Sequence, residues 1–171
     1  MIAFDAFTDE NSFSSATSYT KAHTCTGSNR ALIVGVYNNV GDNVVTGATY
    51  AGEAMTKLQT ADSDADNISY MFFKGNPASG SNNIVVSLSA SRSGTVSAIS
   101  YTGASETIDN STSGIGTAGG SSKTVAITPT VNNCWIVSCA RADGGSFTYS
   151  AGVTKRTAVG GASTIMGDSN A

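Results

Sequence analysis

The densest group of chemistry-bearing side chains in the sequence is Asp62-Ser63-Asp64-Ala65-Asp66-Asn67, where carboxylates recur at every second position. Several hard oxygens on one loop are what calcium takes, so Asp62, Asp64 and Asp66 are the candidate metal ligands. The spacing departs from an EF-hand loop: the sixth position from Asp62 is Asn67 where the motif needs Gly, and the twelfth is Phe73 where it needs Glu. The expectation is a solvated hairpin loop without a metal or other cofactor, with calcium as the alternative.

Acid–base and nucleophilic chemistry find less to work with. His23 is the single histidine, and no Gly-x-Ser-x-Gly elbow or activated cysteine context accompanies it. Glycoside hydrolysis needs two carboxylates at about 5 Å or about 6.5 to 9.5 Å, and no local pattern selects a pair from Glu10, Glu53, Glu106 and nine aspartates. No catalytic residue is assigned, and the chain is expected to be non-enzymatic. Cys25, Cys134 and Cys139 cannot all pair within the chain, and their spacing is not that of a zinc site. Cys134 and Cys139 are five apart, so on a regular strand they face opposite ways. A Cys25–Cys134 bridge is geometrically open, and the default is three small buried hydrophobes. Tyr50 and Tyr149, each beside a turn, are the candidate glycan contacts, since aromatic rings stack on apolar sugar faces. Trp135 lies in an apolar run and is expected in the core.

The elements that must position these residues are strands. A chain of 171 residues with 40% hydrophobic content can bury a core as one domain. Only 12% of residues are charged, so the solvated face must be built from Ser, Thr, Asn and Gly, which suit extended chain and tight turns. A formal charge of -3 and scattered basic residues argue against a nucleic-acid partner. No apolar run reaches the roughly 20 residues of a membrane-spanning helix, and the first thirty residues lack a signal-peptide pattern.

Leu32 to Val36 carries nothing polar and is bounded by turn residues, which predicts a central strand buried on both faces. Other strands are expected at Met1–Phe7, Ser18–Cys25, Val44–Tyr50, Ala54–Gln59, Asn67–Lys74, Asn83–Ser89, Gly94–Thr102 and Ser122–Thr128. Asn11 to Ser15 reads as a polar connection. Thr26-Gly27-Ser28-Asn29 predicts a hairpin between Ser18–Cys25 and the central strand, and Ala51-Gly52 a tight turn. Residues 103 to 121, nearly all Gly, Ser, Thr and Ala, read as a long exposed loop that is mobile or ordered by a partner.

The run from Trp135 to Val137 echoes Leu32 to Val34 at a shift of 103, with Asn29 returning as Asn132. Thr49-Tyr50 returns as Thr148-Tyr149, Thr56-Lys57 as Thr154-Lys155, and Ser69-Tyr70-Met71 as Ser163-Thr164-Ile165. Two similar halves follow, about 1–102 and 122–171, joined by the polar loop 103–121. On this alignment the second half stops two strands early, so an open sheet edge should recruit another strand, and a homo-oligomer is expected.

The segments His23-Thr24-Cys25-Thr26-Gly27-Ser28-Asn29-Arg30, Val45-Thr46-Gly47-Ala48-Thr49-Tyr50-Ala51-Gly52 with Ala54-Met55-Thr56, Asn76-Pro77-Ala78-Ser79-Gly80 before Ile84-Val85-Val86, and Ser100-Tyr101-Thr102-Gly103 resemble a family of small β-sandwich proteins of bacteriophages and environmental viral genomes. The resemblance covers most of the chain. It implies a jelly-roll-like or lectin-like sandwich attached to virions, as a capsid decoration, head-fibre or tail-associated component, with no catalytic residues to carry over. Members usually continue with further strands that close the sandwich.

The expectation is therefore an all-β, antiparallel, jelly-roll-like sandwich of roughly twelve strands. Its expected role is that of a viral structural protein made in the host cytoplasm and located in the virion, with other virion proteins as partners and no nucleic acid or membrane. A carbohydrate-binding, lectin-like module contacting a host glycan is the alternative.

Overall fold

A computed structural model describes residues 1–38, 43–62, 68–114, 124–141, 152–156 and 164–170. Those residues are all-β, with ten strands paired antiparallel, and no helix among them is long and apolar enough to cross a membrane. The central strand is the expected one. It spans Ala31–Asn38 (β2) and is buried at every position. Leu32, Val34 and Val36 point into one apolar cluster, while Ala31 and Ile33 point into another on the opposite face. A strand with apolar side chains on both faces is stable only between two layers, and this one has them.

The first layer is a sheet that curls back on itself. Two long strands, β1 (Ala3–Cys25) and β7 (Gly80–Thr102), pair along their whole length. On the other side β7 pairs first with β3 (Val45–Tyr50), through residues 84 to 88, and then with β2, through residues 94 to 101. The pair bends between these two stretches. Register shifts fall at Phe13/Ala16 and Ala16/Ser18, Ser15 takes a φ of 47°, and its amide donates to Ser93 Oγ at 3.3 Å. Bulges of this kind let one strand serve two layers.

Opposite that bend, β4 (Glu53–Ala54) pairs with β3 while β5 (Thr56–Asp62) pairs with β6 (Ile68–Gly75), which in turn pairs with β2. The switch occurs at buried Met55, whose amide donates to Ala48 O at 2.9 Å. The path from β7 through β3, β4, β5, β6 and β2 thus returns to β7, and Ile68, Tyr70, Phe72, Ile84, Val86 and Tyr50 fill the space it encloses. Lys57 ties β5 to β3, donating to Val45 O at 3.0 Å and standing 4.9 Å from the Tyr70 ring centre.

Three expectations need correction here. Met1–Phe7, the connection at Asn11–Ser15 and Ser18–Cys25 are one continuous strand, and so are Asn83–Ser89 and Gly94–Thr102. Backbone pairing along a 23-residue partner carries the strand through its polar stretch, which propensity alone cannot foresee. The described residues hold ten strands, against the roughly twelve expected of the whole chain. Nor do Ser18–Cys25 and β2 form a hairpin, because β1 pairs with β7 instead. Thr26 to Asn29 carries the chain across to β2, with Gly27 and Asn29 at φ of 68° and 51°. Arg30 pins this crossing by donating to Gly27 O, Pro77 O and Asn76 Oδ1. The Ala51-Gly52 turn is as expected, with φ of 52° and 82° and a two-residue connection from β3 to β4.

A second sheet, β8 (Trp135–Arg141), β10 (Thr164–Asn170) and β9 (Thr154–Lys155) in that spatial order, covers the outer face of β2 and its neighbours. It repeats the order β2, β6, β5, and it repeats the register. Cys139 pairs with Met166 as Gly35 pairs with Met71. Thr154 and Lys155 pair with Asp168 and Gly167 as Thr56 and Lys57 pair with Phe73 and Phe72. Asp109 accepts from Thr130 N and Oγ1 as Asp5 does from Thr26 N and Oγ1, both across 21 residues. Asn133 takes φ of 61° where Asn29 takes 51°.

These correspondences set the shift to β8 at 104, one more than the sequence alignment gave. Trp135 therefore stands where Ala31 stands, and Ile136 where Leu32 does. The same single-residue slip affects β10, since Met71 corresponds to Met166 rather than to Ile165. In a strand, one step exchanges the two faces. Trp135, Val137 and Cys139 accordingly face the first sheet, half-buried rather than fully in the core, and Ile136 is 39% exposed.

The equivalence of Asp109 with Asp5 also moves the start of the second repeat into the stretch expected to be a linker. Residues 103 to 114 carry no strand, as expected. They are held by their own chain, through Ala104 N to Asn29 O, Gln59 Nε2 to Ser111 and Asn110 Nδ2 to Thr128 O, and Ile108 packs on the outer apolar cluster. The rest of the predicted loop, 115 to 121, lies outside the described residues.

Candidate functional site

The bend of β1 and β7 gathers the chain's most reactive side chains. Alternation along the end of β1 turns His23 and Cys25 inward, 2% and 0% exposed. From the first limb of the same strand come Asp5 and Thr8, from β7 comes Ser100, and from β3 comes Tyr50. Thr8 Oγ1 lies 2.7 Å from His23 Nδ1. Asp5 accepts from Thr26 N at 2.9 Å, from Thr26 Oγ1, and from Ser100 Oγ at 2.7 Å. Tyr50 Oη donates to His23 O at 3.1 Å and to Gly80 O at 3.2 Å.

A thiol, an imidazole and a carboxylate in one cluster invite comparison with a cysteine nucleophile. Such a nucleophile requires a thiol pKa lowered by a neighbouring imidazolium. Burial here drives both groups the other way, pushing the Cys25 thiol up and the His23 imidazole down to about 4. Each is held neutral. Tyr50 is likewise pushed up, to about 12, by burial. The cluster works as a polar knot that ties the two limbs of β1 to each other and to β7.

Tyr50 as a glycan contact is corrected by this placement. It is 1% exposed, because alternation along β3 turns Ala48 and Tyr50 into the core and Thr49 outward. What lies outside is a shallow groove of about 490 Å³ along the β3–β4 turn and the start of β7, lined by Thr49, Ala51, Gly52, Ser81, Asn82 and Asn83. Asn82 Nδ2 is within 3.2 Å of Ser79 O and 3.3 Å of Gly80 O, which orients its side chain at the groove wall. Tyr149 lies outside the described residues, as do Asp64 and Asp66, and Asp62 ends β5. Among the described residues no three His, Cys, Asp or Glu side chains gather as metal ligands. Cys25, Cys134 and Cys139 are free thiols.

A second polar cluster joins the two sheets, and sequence reasoning missed it. Asp168 on β10 is fully buried. It accepts from Tyr101 Oη at 2.8 Å and from Arg156 Nε and Nη2 at 2.8 and 2.9 Å. The guanidinium also lies 4.1 Å from the Phe4 ring centre, and Tyr101 meets Trp135 edge to face at 5.5 Å. The one sequence signal was a carboxylate placed in the strand Thr164 to Asn170, just after the apolar pair Ile165-Met166. Nothing in the spacing paired it with Arg156.

Comparison of the chain with protein-family models, with curated proteins and with solved structures finds no match.

Proposed function

We propose that this chain is a non-enzymatic structural protein of a virion, a capsid decoration, head-fibre or tail-associated component with a jelly-roll-like sandwich, working as a homo-oligomer among other virion proteins. The observation that carries this reading is where the reactive groups are spent. Asp5, His23, Arg30, Asp109, Arg156 and Asp168 each bind another segment of the same chain, at corners, crossings and the joint between the two repeats. Cross-linking of this kind suits a module whose task is to hold shape. The bent β1–β7 pair, shared between two layers, is how a sandwich turns its corners, and the resemblance of the turn and core segments to phage sandwich proteins points the same way.

The test has two parts. Sedimentation of the purified chain across a dilution series should give a stable multiple of the monomer mass, and an antibody to the chain should label virus-sized particles. A monomer at all concentrations, absent from particles, would overturn the proposal.

A lectin-like module is the second reading, and the groove lined by Thr49, Ser81, Asn82 and Asn83 favours it, since hydroxyl and amide groups along a shallow cleft are what sugar hydroxyls need. Binding on a glycan array that is lost in Asn82→Ala and Asn83→Ala would establish it.

A further inference from the structure

The chain's single histidine sits where the two limbs of β1 come together. Thr8 belongs to the limb before the bend and His23 to the limb after it, so the bond between Thr8 Oγ1 and His23 Nδ1 latches the strand to itself. His23 Nε2 is buried and has no hydrogen-bond partner among the described residues. A neutral imidazole carries one donor and one acceptor, whereas the protonated ring carries two donors. The site suits the neutral form. Whichever nitrogen takes the second proton, the charged ring carries an N–H at Nε2 that is buried and unpaired, and it brings a charge into the interior.

We propose that His23 is an acid-sensitive latch, which ties the two limbs of β1 together when neutral and lets them part when protonated.

The titratable and charged groups around it decide whether anything else responds first. Asp5 and Cys25 face it from β1, Tyr50 faces it from β3 with ring centres 6.5 Å apart, and Arg30 at the head of β2 acts on Cys25. From β7, uncharged Asn82 and Gly80 stand opposite His23 and Cys25. Cys25 and Tyr50 are neutral throughout the acid range, and burial raises both further. Burial alone would raise Asp5, but hydrogen bonds from Thr26 and Ser100 overcome it and hold the carboxyl below its usual range. Asp5 therefore gives up its charge only below the ordinary carboxyl range. Its charge draws the histidine pKa upward, and burial outweighs it, leaving His23 at about 4 against 6.5.

A lowered folded-state pKa means that the unfolded chain takes up the proton first as pH falls. The contribution of the latch is complete above pH 6.5 and is lost between 6.5 and about 4, where the folding equilibrium constant should fall about a hundredfold.

One histidine gives one imidazole resonance, so the native titration can be followed directly by NMR. The expected midpoint lies below about 5, and a midpoint near the ordinary value of about 6.5 overturns the proposal. Urea unfolding of the intact chain should lose stability as pH falls from about 6.5 to about 4.5, and His23→Gln, which cannot titrate there, should lose less. Equal losses in the two proteins overturn it. Should His23→Gln not fold, the wild-type titration decides alone. Amide exchange, corrected for its intrinsic pH dependence, should accelerate in β1 before β6, and a uniform change would remove the latch.

Discussion

Gly35 of the first repeat and Cys139 of the second hold equivalent positions in their strands and face each other where the two sheets meet. A Cβ on Gly35 would run into Cys139 Sγ. The sheets can approach this closely only because one of the pair has no side chain.

The first prediction concerns that contact. Gly35→Ala should destabilise the chain by about 1 to 3 kcal/mol through overpacking, and Cys139→Ala on the same background should recover part of the loss. Denaturant melts of the two variants measure this. A neutral Gly35→Ala would mean that the sheets are not pressed together there.

The joint between the repeats has a polar half as well. Arg156→Met leaves the buried Asp168 carboxylate with Tyr101 and without its cation, and should cost about 3 kcal/mol. Arg156→Met combined with Asp168→Leu should be less damaging than the sum of the single changes, because the uncompensated charge is then gone. Additive losses in a double-mutant cycle would show that the pair is not coupled.

Trp135 is half-buried and packs on Tyr101 from one side. Trp135→Ala should therefore cost about 2 kcal/mol, below the 3 to 5 kcal/mol of a fully enclosed aromatic. A loss under about 1 kcal/mol would place the ring on the open surface and return it to consideration as a sugar platform.

Asp5 and Asp109 make the same pair of bonds in the two repeats, but Asp5 has Ser100 in addition and is partly buried. Asp5→Asn should destabilise more than Asp109→Asn. The sign with pH follows from the lowered Asp5 pKa: its contribution is present above the ordinary carboxyl value of 3.8 and is lost as pH falls through the folded value. Asp5→Asn should flatten the stability curve of the protein in that acid range, as thermal melts at stepped pH would record.

Much of the local structure was legible in the sequence. Leu32 to Val36, apolar without alternation, required a strand with cover on both faces, and β2 has it. Ala51-Gly52 required a tight turn, and the order of the second repeat followed the first. These features depend on neighbouring residues alone, through side-chain alternation and backbone sterics. Register does not. Ile33 and Val34 matched Ile136 and Val137 by identity, yet pairing with β10 and contact with β2 place Val137 opposite the outer face that Ile33 occupies. An apolar run reads equally well in either register, and only the packed layers distinguish them. The same holds for Tyr50, whose place beside a turn suggested exposure while the enclosed core claimed its ring, and for Arg156 with Asp168. Their partners arrive from strands far away in sequence, so tertiary structure alone decided what they touch and which of them water can reach.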